Sequence, residues 1–163
     1  MPKLDRRQLL YGAAGLVAAA SLAGCGDDEP DETPTPDPDS PEGRVDEYLR
    51  DNDANLYDGT ITDLTGETEI TIDVGAGDDG LAYDPAAARI DAGTEVTWEW
   101  TGEGGAHNVV SEAEIGSDFE FRSGDLIGDA GHTWAYTLEE SGVALYYCEA
   151  HRAVGHHGAL VVE

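Results

Sequence analysis

One cysteine and three histidines stand close together near the C-terminus, in residues 146–158, which read YYCEAHRAVGHHG. The stretch supplies one thiol and three imidazoles, from Cys148, His151, His156 and His157. Thiolate and imidazole groups are the ligands that zinc, copper and iron prefer, and a loop that only joins two strands does not need this many. A further histidine, His107, ends a Gly-rich turn 41 residues upstream of Cys148. The pattern predicts a metal site built from two loops.

The segments that must position these residues have the period of β-strands. Apolar side chains alternate with polar ones in 70–74, 96–100, 134–138 and 143–147, and a last short strand is expected at 160–162. Gly-containing turns separate the segments, which favours an all-β antiparallel sandwich or barrel. Cys148 then ends one strand, Gly158 opens the next, and His151 and His156 lie in the loop between them. His107 follows a different strand, and rigid strands can hold two such loops together at one end of a sandwich.

Three kinds of chemistry use this ligand set. A Cys–His hydrolase or oxidoreductase also needs an orienting third group and an oxyanion site, and nothing after His107 indicates them; we therefore expect no enzyme. A tetrahedral His₃Cys site suits Zn²⁺ in a non-redox structural or metal-handling module. A thiolate with two imidazoles and a weak fourth ligand suits copper electron transfer. A copper chaperone or storage protein is disfavoured because it typically uses several Met or Cys residues.

The N-terminus predicts export and a lipid anchor. In residues 1–24, Lys3, Arg6 and Arg7 precede an apolar stretch of fourteen residues, whereas about 20 are needed to span a bilayer. The Arg pair resembles a twin-arginine signal, and LAGC at 22–25 resembles a lipobox, in which Cys25 is lipidated. Cys148 then has no disulfide partner within the chain, and a lone thiol beside histidines outside the cell favours metal.

The rest of the chain divides into three parts. Residues 25–43 contain the lipidated Cys25 and an acidic, Pro-rich tether. Residues 44–67 are expected to form a short helix and a connecting segment that pack on the domain; Ser40 caps the helix, Pro41 takes its first position, and Val45, Tyr48 and Leu49 form its apolar face. Residues 68–163 form the folded domain.

The amino-acid composition indicates the kind of solvent to which the protein is adapted. The chain has eight basic and 35 acidic residues; without the three basic residues and one acidic residue of 1–24, five Arg and 34 acidic residues remain, a formal charge of −29. Such a charge opposes folding unless salt screens it, which is typical of a salt-adapted protein from a halophilic archaeon. The charge therefore disfavours nucleic acid and anionic lipid surfaces as partners. A hydrophobic content of 40% with three Trp and seven Tyr indicates a folded chain rather than a disordered one.

Three motifs carry a family resemblance: DAGTEVTWEW at 91–100, GAHNV at 105–109 and LYYCEAH at 145–151. They closely resemble the halocyanins, small archaeal blue copper proteins of the plastocyanin-like cupredoxin family. The resemblance implies a Greek-key β-sandwich or barrel of about eight strands, one copper ion near one end, and one-electron transfer between membrane redox complexes at the extracytoplasmic face. It implies His107, Cys148 and His151 as equatorial ligands and Asn108 as the residue that links the two ligand loops. We expect a lipid-anchored monomer.

The chain departs from the family pattern at the axial ligand. The family motif is Cys, two residues, His, four residues, Met. Counted from Cys148 and His151, the position of the motif's Met is occupied by His156. Met1, in the signal, is the only methionine of the sequence. An imidazole is a stronger donor than a thioether and favours Cu(II), so a bound His156 predicts a longer Cu–Cys148 bond, a more tetragonal site and a lower reduction potential. The alternatives are that His156 turns to solvent, that His157 replaces it, or that copper is not the native metal. Ala150 replaces the frequent Pro between Cys and His, which leaves the loop less stiff.

Overall fold

The computed structural model describes residues 36–163 of the protein. Within this range one helix, α1 (Pro41–Asp51), precedes ten strands that form two sheets. The strands are β1 (Thr62–Asp63), β2 (Glu69–Ala76), β3 (Ala82–Asp84), β4 (Ala87–Ile90), β5 (Thr94–Trp100), β6 (Val110–Ser111), β7 (Phe121–Arg122), β8 (Thr133–Leu138), β9 (Gly142–Tyr147) and β10 (His157–Val162). The all-β prediction with one short helix is confirmed. The number of strands exceeds the predicted eight because β1, β6 and β7, each only two residues long, are counted as strands.

The two sheets have mixed strand directions. The larger sheet has the order β1-β4-β10-β9-β6-β7 and the smaller one β3-β2-β5-β8. β2 runs parallel to β5, and β4 runs parallel to both β1 and β10, whereas the other pairs are antiparallel. The sequence favours an antiparallel sandwich, and three of the strand pairs are instead parallel. The reason is topological: after β3 the chain crosses to β4 in the other sheet and returns, so β5 lies beside β2 in the same direction.

The main core lies between the sheets. β2 and β5 alternate between buried and more exposed positions, as their sequence period predicts, and they direct Ile72, Val96 and Trp98 inward. Tyr146 and Leu160 enter the same core from the larger sheet. Trp98 and Tyr146 are fully buried, and their rings contact each other with centroids 5.7 Å apart, so these large side chains fill the interior between the sheets.

β9 and β10 lack the alternation of a half-buried strand because α1 covers the outer face of their sheet. Val45 and Leu49 of α1 pack in a second apolar cluster with Val143, Leu145, Ala159 and Val161. Full burial of one such side chain contributes about 1.5–3 kcal/mol. β10 is buried throughout and begins at His157, opposite Tyr147 and one residue before Gly158, where the sequence places the opening of the strand. His157 therefore belongs to a strand, whereas His156 still lies in the loop.

The start of α1 follows its sequence signals. The Ser40 hydroxyl accepts a hydrogen bond from the Gly43 N–H at 3.0 Å, and Pro41 occupies the first turn, which satisfies one of the free donors at the helix end. Residues 41–43, which the domain prediction placed in the tether, are already helical. Within residues 36–163 no helix is long and apolar enough to cross a membrane. The predicted export signal, Cys25 and the first part of the tether lie outside the described residues.

Candidate metal centre

Four side chains from two loops meet at one end of the sandwich. His107, Cys148, His151 and His156 each offer a ligand atom, and these atoms all lie within 4.8 Å of one another. The Cys148 Sγ lies 3.8 Å from His107 Nδ1 and 3.6 Å from His151 Nδ1. His107, Cys148 and His156 are fully buried, whereas His151 is partly exposed. The structure thus brings together all four residues that the sequence singled out.

Backbone hydrogen bonds fold the loop from Cys148 to His156 back on itself. The Cys148 N–H donates to the His156 carbonyl at 3.0 Å, and the His156 N–H donates to the His151 carbonyl at 3.3 Å. Between the two histidines runs one 3₁₀ turn, Arg152–Val154, which ends at Gly155 with a φ of 83°. That left-handed conformation suits glycine. The turn returns the chain to β10 and places His156 beside Cys148.

His107 is held in one orientation by a carbonyl group. Its Nε2 lies 2.7 Å from the Glu103 carbonyl oxygen, so Nε2–H donates and Nδ1 keeps its lone pair. The main chain of His107 pairs with Ile127 on both sides, and the Trp100 indole N–H donates to the His107 carbonyl at 3.0 Å. A carbonyl partner on the second ring nitrogen is the usual means of orienting a metal-binding histidine.

The two facing Nδ1 atoms of His107 and His151 lie only 3.1 Å apart. Two lone pairs at this distance repel each other unless a proton or a cation lies between them. Burial, followed by the neighbouring His151, lowers the pKa of His107, although the hydrogen bond to Glu103 opposes the shift. Nδ1 of His107 thus stays unprotonated, and its lone pair faces either Nδ1–H of a neutral His151 or a bound cation.

His156 is the most informative member of the group. It is fully buried, and among the described residues neither of its ring nitrogens has a hydrogen-bond partner. Leaving a buried polar atom unpaired costs about 1–3 kcal/mol. Two such nitrogens on one ring therefore indicate a partner that the described residues do not supply. A weak contact with the Ala82 backbone does not meet hydrogen-bond geometry. Because a soft thiol and three imidazoles surround this space, the donor set fits a copper ion.

Tyr83 of β3 forms the wall behind His156. The two rings have centroids 4.3 Å apart, and the Tyr83 hydroxyl donates to the Asn108 carbonyl at 2.7 Å. Tyr83 also packs against Tyr146 at 4.9 Å. This aromatic wall keeps the His156 ring at the site, and the alternative in which His156 turns to solvent does not describe the structure.

His157 has a different role from the three other histidines of the cluster. Its Nε2 lies 2.9 Å from the Arg152 carbonyl oxygen, and its Nδ1 lies 2.8 Å from the Tyr48 hydroxyl. Both ring nitrogens are thus satisfied by the protein. The alternative in which His157 replaces His156 as a ligand is contradicted, because its lone pair is directed at α1 rather than at Cys148.

Asn108 connects the two ligand loops. Its Nδ2 donates to the Glu149 carboxylate at 2.6 Å, and its Oδ1 accepts from the Glu149 N–H at 3.0 Å. Arg122 forms an ion pair with the same carboxylate. The hydrogen bond from Asn108, together with Arg122, holds the pKa of Glu149 below its usual range. His107 and Cys148, each adjacent to one end of this link, are therefore fixed relative to each other.

Sequence reasoning missed the residues that surround the ligands. Tyr83 lies in a three-residue strand with no period to place it, and Glu103 acts through a carbonyl that every residue type carries. Glu149 directly follows the Cys ligand, but an exposed carboxylate needs no particular partner, so its sequence position carries no signal for one. Its partner Arg122 is 27 residues away, so only the fold pairs them.

Comparisons with known proteins agree with this geometry. The profile of the family described as copper binding proteins, plastocyanin/azurin family, matches residues 69–163. Halocyanin from Natronomonas pharaonis is 53% identical over 166 aligned positions that span all of both chains. The chain belongs to the plastocyanin/azurin family of copper-binding proteins. The predicted family and its single copper ion are confirmed, and proteins of this family carry electrons rather than catalyse reactions.

Two further relatives cover the strand-forming part of this cupredoxin. Plastocyanin B'/B'' from Nicotiana tabacum is 33% identical over 57% of this chain and 99% of its own. The solved structure of a purple cupredoxin from Nitrosopumilus maritimus superposes with a TM-score of 0.46, at 26% identity, over 57% of this chain and 98% of its own. The helix α1 and the residues that follow it precede the part that the family profile matches.

The metal-free protein is expected to lose stability as the pH falls below about 6.5. Burial and the nearby His107 and His151 lower the pKa of His156 to about 3, whereas an unfolded histidine has a pKa of about 6.5. Between these values the unfolded chain binds the extra proton, so stability falls with pH by about 1.4 kcal/mol per unit for this group. Urea unfolding of metal-free protein at molar salt should show a loss of about 2 kcal/mol between pH 6.5 and 5.

The variant His156→Met provides the control for this measurement, because it keeps a side chain of similar size without the titrating ring. Its unfolding free energy should fall less over the same pH interval than that of the wild type. The difference between the two losses should match the contribution of about 2 kcal/mol assigned to His156. Parallel pH curves for the two proteins would show that His156 is protonated equally in both states and would contradict the prediction.

Proposed function

We propose that this protein is a one-electron carrier in which His107, Cys148 and His151 bind copper and His156 supplies the fourth ligand. The observation that supports this assignment best is the convergence of four ligand atoms within 4.8 Å, one of them on a buried ring without hydrogen-bond partners among the described residues. Copper, when bound, supplies reversible exchange of one electron between its Cu(II) and Cu(I) forms. The same donor set could hold zinc, but membership of a copper-binding family favours copper.

The surrounding residues keep the ligands in place during electron exchange. Glu103 orients the His107 ring, the link between Asn108 and Glu149 fixes the two loops, and Tyr83 blocks the back of His156. Rearrangement of buried, hydrogen-bonded groups is costly. The protein therefore changes little between its two oxidation states, and this small reorganisation favours fast transfer.

His151 is the part of the site that approaches solvent. It is partly exposed, whereas the three other ligand side chains are fully buried. Electron tunnelling becomes less probable with distance, so the exposed edge of His151 is the shortest way for an electron to enter or leave. We propose that donor and acceptor proteins dock at this end.

The imidazole of His156 sets this site apart from a Met-ligated one. A nitrogen ligand stabilises Cu(II) more than a thioether does, and the axial ligand is a main determinant of the potential of such sites. The low pKa of His156 keeps its ring neutral at working pH, and only a neutral ring has a free lone pair. We propose that this carrier has a lower potential than relatives with an axial Met.

The N-terminal segments are assigned a tethering role. We propose that residues 1–24 direct export by the twin-arginine route, that Cys25 is lipidated, and that the acidic segment after it holds the domain near the extracytoplasmic face of the membrane. The domain, a monomer in this proposal, would then exchange electrons with membrane redox complexes. The mass of the mature protein, isolated from membranes of its native host, would reveal a lipid on Cys25.

Copper loading followed by a redox titration tests the electron-carrier proposal. We expect one copper per chain, an intense visible band in the oxidised protein, and complete bleaching by one electron with full recovery on oxidation. The metal content of protein isolated from the native host should be copper. Zinc in the native protein, or a titration that consumes no electron, would instead support a non-redox metal-binding module.

A further inference from the structure

We infer that two residues of the N-terminal segment, Tyr48 of α1 and Asn55 after it, clamp the metal-binding loop and position His156. The inference rests on the proposed metal site, because it concerns how one of its ligands is held. Both residues precede residues 69–163, which the family profile matches. They act through the loop backbone and through His157, so they are positioning residues rather than ligands.

Asn55 binds the loop directly before His156. Its backbone N–H donates to the Gly155 carbonyl at 2.9 Å, and its side-chain Nδ2 donates to the Val154 carbonyl at 2.8 Å. The same Nδ2 donates to the Leu81 carbonyl at 2.8 Å. Leu81 directly precedes β3, which carries Tyr83, so Asn55 ties together the loop that presents His156 and the strand that backs it.

Tyr48 holds the other side of His156. Because Nε2–H of His157 donates to the Arg152 carbonyl, Nδ1 of His157 is left to accept, and the Tyr48 hydroxyl is the donor at 2.8 Å. The hydroxyl also lies 3.2 Å from the Tyr146 carbonyl oxygen. Through His157, Tyr48 thus connects α1 to the start of the 3₁₀ turn and to the strand residue that follows His156.

The backbone is built for this close approach. A Cβ at Gly155 would lie 2.4 Å from the Asp53 carbonyl oxygen and 3.1 Å from the Asn55 side chain, so only glycine lets the two segments touch. Asp53 and Leu56, on either side of Asn55, have φ values of 47° and 63°, a region that residues other than glycine rarely adopt. Such conformations persist only where the surrounding structure enforces them.

The site itself gives a reason for an external clamp. The His156 ring makes no hydrogen bond to any described residue, so its position depends on its backbone and on packing. The loop has Ala150 where a Pro would stiffen it. Four hydrogen bonds from Tyr48 and Asn55 to 154–157 and Leu81 supply the missing constraint from outside the loop.

The test uses two variants, each with a matched control from the same segment. Asn55→Ala removes both side-chain contacts, and Tyr48→Phe removes a single hydroxyl. The control for Asn55→Ala is Asn52→Ala, which removes a side-chain amide hydrogen bond to the Tyr48 carbonyl. The control for Tyr48→Phe is Tyr57→Phe, which removes a hydroxyl bonded to Asp46. Neither the Asn52 amide nor the Tyr57 hydroxyl contacts the metal-binding loop. Amide hydrogen exchange is measured on the metal-free proteins, and the EPR spectrum and reduction potential on the copper-loaded ones.

We expect Asn55→Ala to speed amide exchange in residues 151–157 by at least about tenfold, an opening of local structure, and Tyr48→Phe to do so to a smaller extent. The Cu(II)-over-Cu(I) binding preference should fall at least about fivefold in Asn55→Ala, which raises the potential by about 40 mV at 59 mV per factor of ten. Both controls should stay within about twofold of the wild type. If Asn55→Ala does not fold, Tyr48→Phe alone carries the comparison.

Two results would overturn the inference. Exchange in 151–157 that matches the controls would show that the segment does not restrain the loop. Faster exchange with an unchanged potential and EPR spectrum would show that the restraint does not position a ligand. A wild-type protein that binds no copper would contradict the proposed function instead, and the exchange measurement on metal-free protein would still decide whether the clamp holds the loop.

Discussion

Replacing Cys148 with Ser removes the intense visible absorption of the copper-loaded protein and weakens Cu(II) binding by well over tenfold. The band arises from charge transfer between the thiolate and Cu(II), which a hydroxyl cannot provide at visible wavelengths. Changes outside the ligand shell already cost about 10–100-fold in metal affinity, so the loss of a buried thiolate ligand should cost more. Serine is only slightly smaller than cysteine, and the backbone N–H of residue 148 keeps its hydrogen bond to the His156 carbonyl. The fold should therefore survive.

Absorption spectroscopy and competition with a chelator measure this effect. Cys25→Ser is the matched control, because Cys25 is the only other cysteine of the chain and is assigned to lipidation rather than to metal. That variant should keep both the band and the affinity. A Cys148→Ser protein that retains its colour would remove Cys148 from the proposed ligand set.

The substitution His156→Met is expected to turn the site into an ordinary Met-ligated blue site with a higher reduction potential. The wild type buries an imidazole with no partner among residues 36–163, and a neutral imidazole favours Cu(II) more than a thioether does. If the exchange of ligand lowers the relative preference for Cu(II) by 10–100-fold, the potential rises by about 60–120 mV. The EPR spectrum should change at the same time.

Optical and EPR spectra with a redox titration of both proteins measure the change. His132→Met is a suitable control, since His132 packs against the Trp100 ring with centroids 4.8 Å apart and is not part of the ligand group. It should leave the spectra and the potential of the wild type unchanged. Spectra of the wild type that already match a Met-ligated blue site would show that His156 does not bind the metal.

The clamp gives the N-terminal part of the chain a role beyond tethering. α1 packs its apolar face on β9 and β10, the two strands that flank the metal-binding loop. Asn55 and Tyr48 extend that contact to the loop itself. A truncation before residue 69, at the boundary of the family profile, would therefore remove groups that hold the site as well as part of the apolar packing.

Much of the fold could be predicted because its signals are local. The alternation of Ile70, Ile72 and Val74 with polar residues requires only that one face of a strand be buried, and the Ser40 and Pro41 cap acts within one turn. The predicted alternation of buried and exposed residues failed where a helix covers the outer face of a sheet. The uniform burial of β9 and β10 depends on α1, about 100 residues away in sequence, and no local period records it.

The metal centre divides in the same way. The sequence by itself determined the ligand types, the spacing of Cys148, His151 and His156, and the absence of a methionine for the axial position, because these follow from residue identity and register. Only the tertiary structure decided that the His156 ring faces the site while His157 faces α1. Adjacent residues in a loop can point either way, and the outcome depends on partners such as Tyr83 and Tyr48 that the fold brings in from distant segments. Side-chain direction is therefore a property of packing, whereas ligand chemistry is a property of sequence.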